Sequence, residues 1–138
     1  MICYAVIDTN VLVSALLSSK DDTATVQVIG KMIIGEIIPI YSKAIKKEYC
    51  EVLTRKKFGF SGSTVEYLLS FIEKYGILME PSPSEIILPD MKDLPFYEVF
   101  LEKCSDNAYL VTGNMKHFPK NPFIVTPKEL LDILNQKQ

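Results

Sequence analysis

Residues 4–17 read YAVIDTNVLVSALL. An apolar run, Tyr4-Ala5-Val6-Ile7, ends at Asp8; a second apolar series begins after Thr9 and Asn10. Extended back to residue 2, the first run (ICYAVI) is short and apolar and includes β-branched residues, the pattern of a strand buried on both faces. In the second series Val11, Leu12, Ala15 and Leu16 recur at helical spacing. That predicts a helix from Thr9 through Ser18 with Thr9 as its cap. Asp8 therefore stands at the carboxyl end of a buried strand, at the seam between two segments built to be covered.

The same grammar continues along the chain. Residues 22–35 predict a helix stopped near Gly35, and EIIPIYS (36–42) a strand. Pro39 places that strand near a sheet edge or interrupts its ladder. Ser42 caps a helix running to about Lys57, with Ile45, Tyr49, Val52 and Leu53 on one stripe. Residues 61–76 predict the next helix, with Ser63 or Ser61 as cap and Gly76 as stop. ILME (77–80) is a short strand, and 81–90 is a loop marked by Pro81, Pro83 and Pro89. A helix is expected from about Asp93 to Cys104, then strands at 108–112 and 123–126, and a last helix at 127–137 opened by Pro127. Strands alternating with helices imply a parallel α/β sheet covered on both faces. Such sheets hold ligands at the carboxyl ends of their strands, which is where Asp8 sits.

The 138 residues fit one domain, 1–138, long enough for a real core. With 48% hydrophobic and 23% charged residues, the composition is that of an ordinary soluble protein. No segment approaches the roughly 18–20 apolar residues of a membrane span, and no basic stretch precedes an apolar run as in a secretory signal. A cytoplasmic location and no membrane partner are the expectation. Cys3, Cys50 and Cys104 lie far apart and read as small buried hydrophobes. With His117 as the only histidine, they do not suggest a structural zinc site. The net charge of −2 does not by itself point to nucleic acid. Its distribution says more: residues 41–60 carry six Lys/Arg against two acids, and residues 61–110 nine acids against three bases. A basic surface beside an acidic pocket suits a nuclease, although a solvated helix face accounts for the same charges.

Taken one at a time, the acids are ambiguous. Asp8 fits a helix cap, but Thr9 offers that service one residue later. On the helix after Ser42, at about 100° per residue, Glu48 falls on the rim of the buried stripe, while Glu51 turns further into solvent. Asp90 and Asp93, in LPDMKDLPF, stand at a loop-to-helix junction where either fits an N-cap. Asp106 is a turn residue before a strand. Gathered together, these acids would repel one another without a cation among them. Mg²⁺ prefers oxygen ligands and keeps several waters, so a few carboxylates suffice. After the strand at 108–112, Thr112 could orient a ligand, Gly113 permits a tight turn, Asn114 offers an uncharged carbonyl ligand, and Lys116 and His117 could meet phosphate.

IDTNVLVSAL, SKAIKKEYCEVL, DMKDLPF and YLVTGNMKHFP, in that order over residues 4 to about 126, resemble the PIN-domain family, most closely its VapC-like toxin branch of toxin–antitoxin pairs. The resemblance implies a three-layer α/β/α fold with a central, mainly parallel sheet of four to five strands. It also implies RNA cleavage dependent on Mg²⁺ or Mn²⁺. Asp8 matches the first acid of the motif, Glu48 the helical acid and Asp93 the acid opening the later helix, with Asp90 its rival. Thr9, Asn10 and Thr112 match polar positions lining the family's site. Where the family often carries a fourth acid, this chain has Asn114, and Asp106 is a loose candidate to compensate.

On this reading Asp8, Glu48 and Asp93 hold the metal that activates water for in-line attack on a phosphodiester. Lys43, Lys46, Lys47, Arg55, Lys56, Lys116 and His117 hold the RNA backbone. The toxin branch further implies a cognate antitoxin and a homodimer. Two other readings are a PIN-like module that binds RNA or protein without cutting, favoured by Asn114, and a small haloacid-dehalogenase-like phosphatase using Asp8 as nucleophile. The second lacks the acid that chemistry wants two residues on, where Asn10 stands.

Overall fold

The computed structural model describes residues 2–136. Five strands form one sheet: β1 (Cys3–Ile7), β2 (Ile37–Tyr41), β3 (Ile77–Leu78), β4 (Tyr109–Val111) and β5 (Ile124–Val125). Their order is β3-β2-β1-β4-β5 and every pairing is parallel. Six helices, α1 (Thr9–Leu17), α2 (Ala24–Ile33), α3 (Lys43–Leu53), α4 (Gly62–Tyr75), α5 (Leu94–Lys103) and α6 (Pro127–Gln136), flank it. α2 packs on α6, and α3 packs on α4 and α5, giving the three-layer α/β/α arrangement. Parallel strands covered on both faces must be apolar throughout; accordingly Ala5, Val6, Ile7, Leu110 and Val111 are at most 1% exposed.

Successive strands step outward from β1 to β2 and β3, after which the chain returns to the other side of β1 as β4. The reversal point lies between the carboxyl ends of β1 and β4, where a doubly wound sheet opens a crevice. Asp8 follows one of these ends and Thr112 the other. A buried phenol fixes the geometry: Tyr49 on α3 donates a 2.5 Å hydrogen bond to the Ile7 carbonyl. It ties α3, and with it Glu48, to the last residue of β1. Burial holds the Tyr49 hydroxyl well above the usual tyrosine range, so it stays a donor.

Several local expectations change. β2 is an interior strand: its first half pairs with β1, including Ala5 with Pro39, and its second half, from Ile40, pairs with β3. Pro39 thus stands where β3 has not yet begun, which tolerates its missing N–H. The stop after α4 also has a different cause. Gly76 has no left-handed backbone; a Cβ there would come within 2.5 Å of the Ile72 carbonyl oxygen and 2.9 Å of that of Pro39. The helix begun by Ser42, which accepts from the Ile45 N–H, ends at Leu53 and not Lys57. The Thr54 hydroxyl bonds the Cys50 carbonyl at 2.6 Å, Arg55 is extended, and Lys56–Phe58 form a separate 3₁₀ turn. Of the cysteines, Cys3 is buried but Cys50 is exposed and Cys104 half-buried. Cys50 lies about 140° from Ile45 around α3, off the apolar stripe.

Candidate active site

A cleft of about 620 Å³ opens at the carboxyl ends of the strands, lined by Asp8, Glu48, Asp90, Asp93, Asn114 and His117 among others. Asp8 is 4% exposed and occupies the N-cap position of α1, yet makes no side-chain capping bond there. Its Oδ2 instead accepts from the Thr112 hydroxyl at 2.7 Å and from the Asn10 amide at 3.3 Å. The Asn10 amide oxygen in turn accepts from the Gly113 N–H at 3.1 Å, and the Thr112 hydroxyl oxygen accepts from the Asn114 N–H at 3.0 Å. The segment after β4 is therefore threaded onto the segment after β1. Gly113 serves through its N–H, and its backbone does not enter the left-handed region.

Thr9 is the first residue of α1 and not its cap. Its hydroxyl donates to Glu48 Oε2 at 2.8 Å. Glu48 is half-buried and Glu51 exposed, as their angular positions on α3 require. Asp93 repeats the logic of Asp8. It sits at the N-cap of α5 without capping it, and its Oδ2 lies 2.9 Å from His117 Nδ1. Asp90 does act as a cap, accepting from the Lys92 N–H at 3.0 Å. Asp90, Asp93 and His117 can each offer one ligand atom, all within 4.8 Å of one another.

The electrostatics follow from crowding acids in a covered place. Asp8 is pushed up to about 6, chiefly by burial, with Asp93 and Glu48 adding repulsion and the Thr112 hydrogen bond opposing it. Burial also raises Asp93, against the pull of His117. Carboxylates that resist ionisation because they are buried, and that also repel one another, are suited to a cation. The donor set of acids plus one imidazole fits a divalent ion.

Not every candidate converges here. Asp106, on the turn before β4, lies at the opposite end of the sheet beside Cys3 and Tyr4. An acid preceding a parallel strand cannot reach the end that follows it. Lys46 is turned toward α4 and pairs with Glu73. Lys43, Lys47, Lys56 and Lys116 are exposed and none lines the cleft; the cations that do are Arg55 and Lys92. Sequence reasoning passed over Lys92, although it sits between two acids already singled out.

The chain matches the PIN domain family model over residues 4–116. It belongs to the PIN-domain family. That match covers most of the chain and sets aside a haloacid-dehalogenase-like phosphatase. PIN domains are typically nucleases and usually use divalent metals, so membership points to nucleic-acid hydrolysis as the class of activity. No match was found among curated proteins or among solved structures.

Proposed function

We propose that this PIN domain is a Mg²⁺- or Mn²⁺-dependent endoribonuclease of the toxin branch, acting in the cytoplasm as a homodimer and silenced by a cognate antitoxin. The observation that carries the catalytic reading is that Asp8, Glu48 and Asp93 reach one cleft from three separate elements. Asp8 and Asp93 do so from N-cap positions whose capping role they leave unused. The toxin assignment rests on the motif resemblance, together with an acidic cleft that a basic antitoxin side chain would fit.

Asp8, Glu48 and Asp93 would hold the metal, with Asp90 and His117 beside them. A bound divalent ion lowers the pKa of a water and offsets charge on the phosphate. The protein's own part is positioning. Thr112 and Asn10 fix the Asp8 carboxylate, Thr9 fixes that of Glu48, and His117 orients that of Asp93. Groups locked in this way need no reorganisation as water attacks phosphorus in line and the P–O bond breaks. Arg55 and Lys92 supply positive charge at the cleft for the flanking phosphates; such contacts position the strand and carry little sequence information.

The test is cleavage of a labelled RNA panel, tRNA included, with Mn²⁺, Mg²⁺ or EDTA, comparing wild type with Asp8→Asn. Metal-dependent cutting that falls about a thousandfold in the variant is expected, the scale of losing a group that stabilises the transition state. Equal cutting by the two proteins would sink the assignment. A second reading, a module that binds and does not cut, is favoured by the uncharged Asn114 in the cleft wall. Folded wild type that binds RNA but neither cuts it nor takes up Mn²⁺ would establish that reading instead.

A further inference from the structure

Phe58 stands outside the acid network but opens onto the same cleft. It belongs to RKKFGF (55–60), the segment that the early end of α3 releases from the helix. The 3₁₀ turn Lys56–Phe58 is closed by Gly59, whose φ of +67° favours glycine. Phe60 then packs against the hydrophobic core, whereas half-buried Phe58 lies flat on it, ring centroids 5.4 Å apart and planes 10° from parallel. Lys57 Nζ lies over the Phe58 ring, 5.1 Å from its centroid, and Arg55 shares the cleft lining. Neither Arg55 nor Lys57 has an ion-pair partner among the described residues.

A singly exposed aromatic ring is unremarkable on a protein surface. Here the ring is backed by a second ring anchored in the core, carries the Lys57 ammonium over it, which a base would displace toward its phosphate, and is turned to a cleft lined by acids. A flat apolar platform with cations beside it is what proteins offer an unstacked base and its phosphates. We propose that Phe58 is a stacking platform for an unpaired base beside the cleaved phosphodiester, with Arg55 and Lys57 holding adjacent phosphates. The ring takes a base that is not stacked on a neighbour, as in single-stranded nucleic acid or a looped-out segment of a folded RNA. A duplex is refused because its bases already stack on their neighbours. The inference rests on the nuclease reading for the position of the cleaved bond, and on the Phe58 geometry for the base.

Binding in EDTA tests the platform separately from cleavage. The probes are a fluorescein-labelled decauridylate, an equally long ribose-phosphate strand lacking every base, and a GC-rich RNA duplex of ten pairs. The wild type is expected to prefer decauridylate to both others. Phe58→Ala should lose about tenfold of the preference over the abasic strand, in the range of one base–aromatic stack, with its weak affinity for the abasic strand unchanged. Phe58→Trp should retain the preference. Equal loss on both single strands in Phe58→Ala, equal binding of duplex and decauridylate, or no binding by folded wild type would each overturn the proposal. Cleavage in Mn²⁺, measured beside it, separates the two readings. Metal-dependent cutting without base preference removes the platform alone. Base preference without cutting removes the nuclease and keeps a base-binding cleft.

Discussion

The cleft has a floor and a rim, and they are made differently. The floor joins Asp8 to Thr112, 4% and 0% exposed, by hydrogen bonds between segments more than a hundred residues apart. These residues follow β1 and β4 directly, so the sheet itself sets their spacing. On the rim, Asp90 is partly exposed, and the side chains of Asp93 and His117 are 14% and 37% exposed. They sit on or beside short 3₁₀ turns. The floor carries an electrostatic cost locked into the fold; the rim carries groups that solvent can screen. Substitutions at the two places should therefore differ in kind as well as size.

The largest effect on stability should come from Asp8. Its folded value of about 6 exceeds the ordinary aspartate value of 3.8, so the folded protein holds this proton more tightly than the unfolded chain. Stability is lost as pH rises from about 3.8 to about 6, and the deficit is complete above that window. At about 1.4 kcal/mol per unit, it amounts to about 3 kcal/mol. Asp8→Asn keeps the shape and removes the charge. In EDTA at pH 7.5 the variant should be more stable than wild type by up to that amount, and the gap should close near pH 4. Saturating Mn²⁺ should stabilise wild type and leave the variant nearly unmoved. Chemical denaturation across pH checks this; a variant no more stable at pH 7.5 would mean that the floor is not strained.

Thr112→Val tests the same floor from the other strand. It removes the hydroxyl that donates to Asp8 at 2.7 Å, with little change in volume. A lost hydrogen bond to a charged group costs about 2 kcal/mol. Unlike Asp8→Asn, this variant should be less stable than wild type at pH 7.5, because the buried charge remains and loses the shorter of its two hydrogen bonds. Opposite signs from two residues 2.7 Å apart would separate the strain from the bond that relieves it.

How far the chain could be read before folding follows the same division. The floor was legible: a strand ending in Asp8 and a strand ending in Thr112 are period-and-topology facts. The place of Glu48 follows from angles along α3. Partners were not legible. Thr9 looks like a cap because its type and position suit one; only tertiary proximity directs its hydroxyl to Glu48. Asp90 and Asp93 look alike in LPDMKDLPF, and which one caps a turn is decided by local backbone geometry. RKKFGF continued the helical pattern in charge and spacing, so the break that brings Phe58 to the cleft was hidden. Gly59 was its one local signal, since a left-handed residue just after a basic run marks a turn.

On the rim, His117→Ala should leave stability nearly unchanged. It should weaken Mn²⁺ binding or cleavage by about tenfold, the usual consequence of losing a group that orients a ligand. Calorimetric titration with Mn²⁺ at constant pH reads it directly. A thousandfold loss, equal to that of Asp8→Asn, would make the histidine part of the floor in function whatever its exposure.

The smallest effect, and the sharpest discrimination, belongs to Asp90→Asn. Asp90 is partly exposed, and its Oδ1 already accepts from the Lys92 N–H, a bond that the asparagine oxygen can keep. Its charge reaches Asp93 from the solvent side of the cleft, where screening weakens it. Loss of that charge should change cleavage by no more than a few-fold, and the change should shrink further as salt is raised. Asp106→Asn, at the far end of the sheet, should change nothing at any salt, and it sets the baseline for an acid outside the cleft. Should Asp90→Asn instead abolish activity while Asp93→Asn is tolerated, the two acids of LPDMKDLPF exchange roles. The side chain that caps the 3₁₀ turn would then have to leave it when the cation binds.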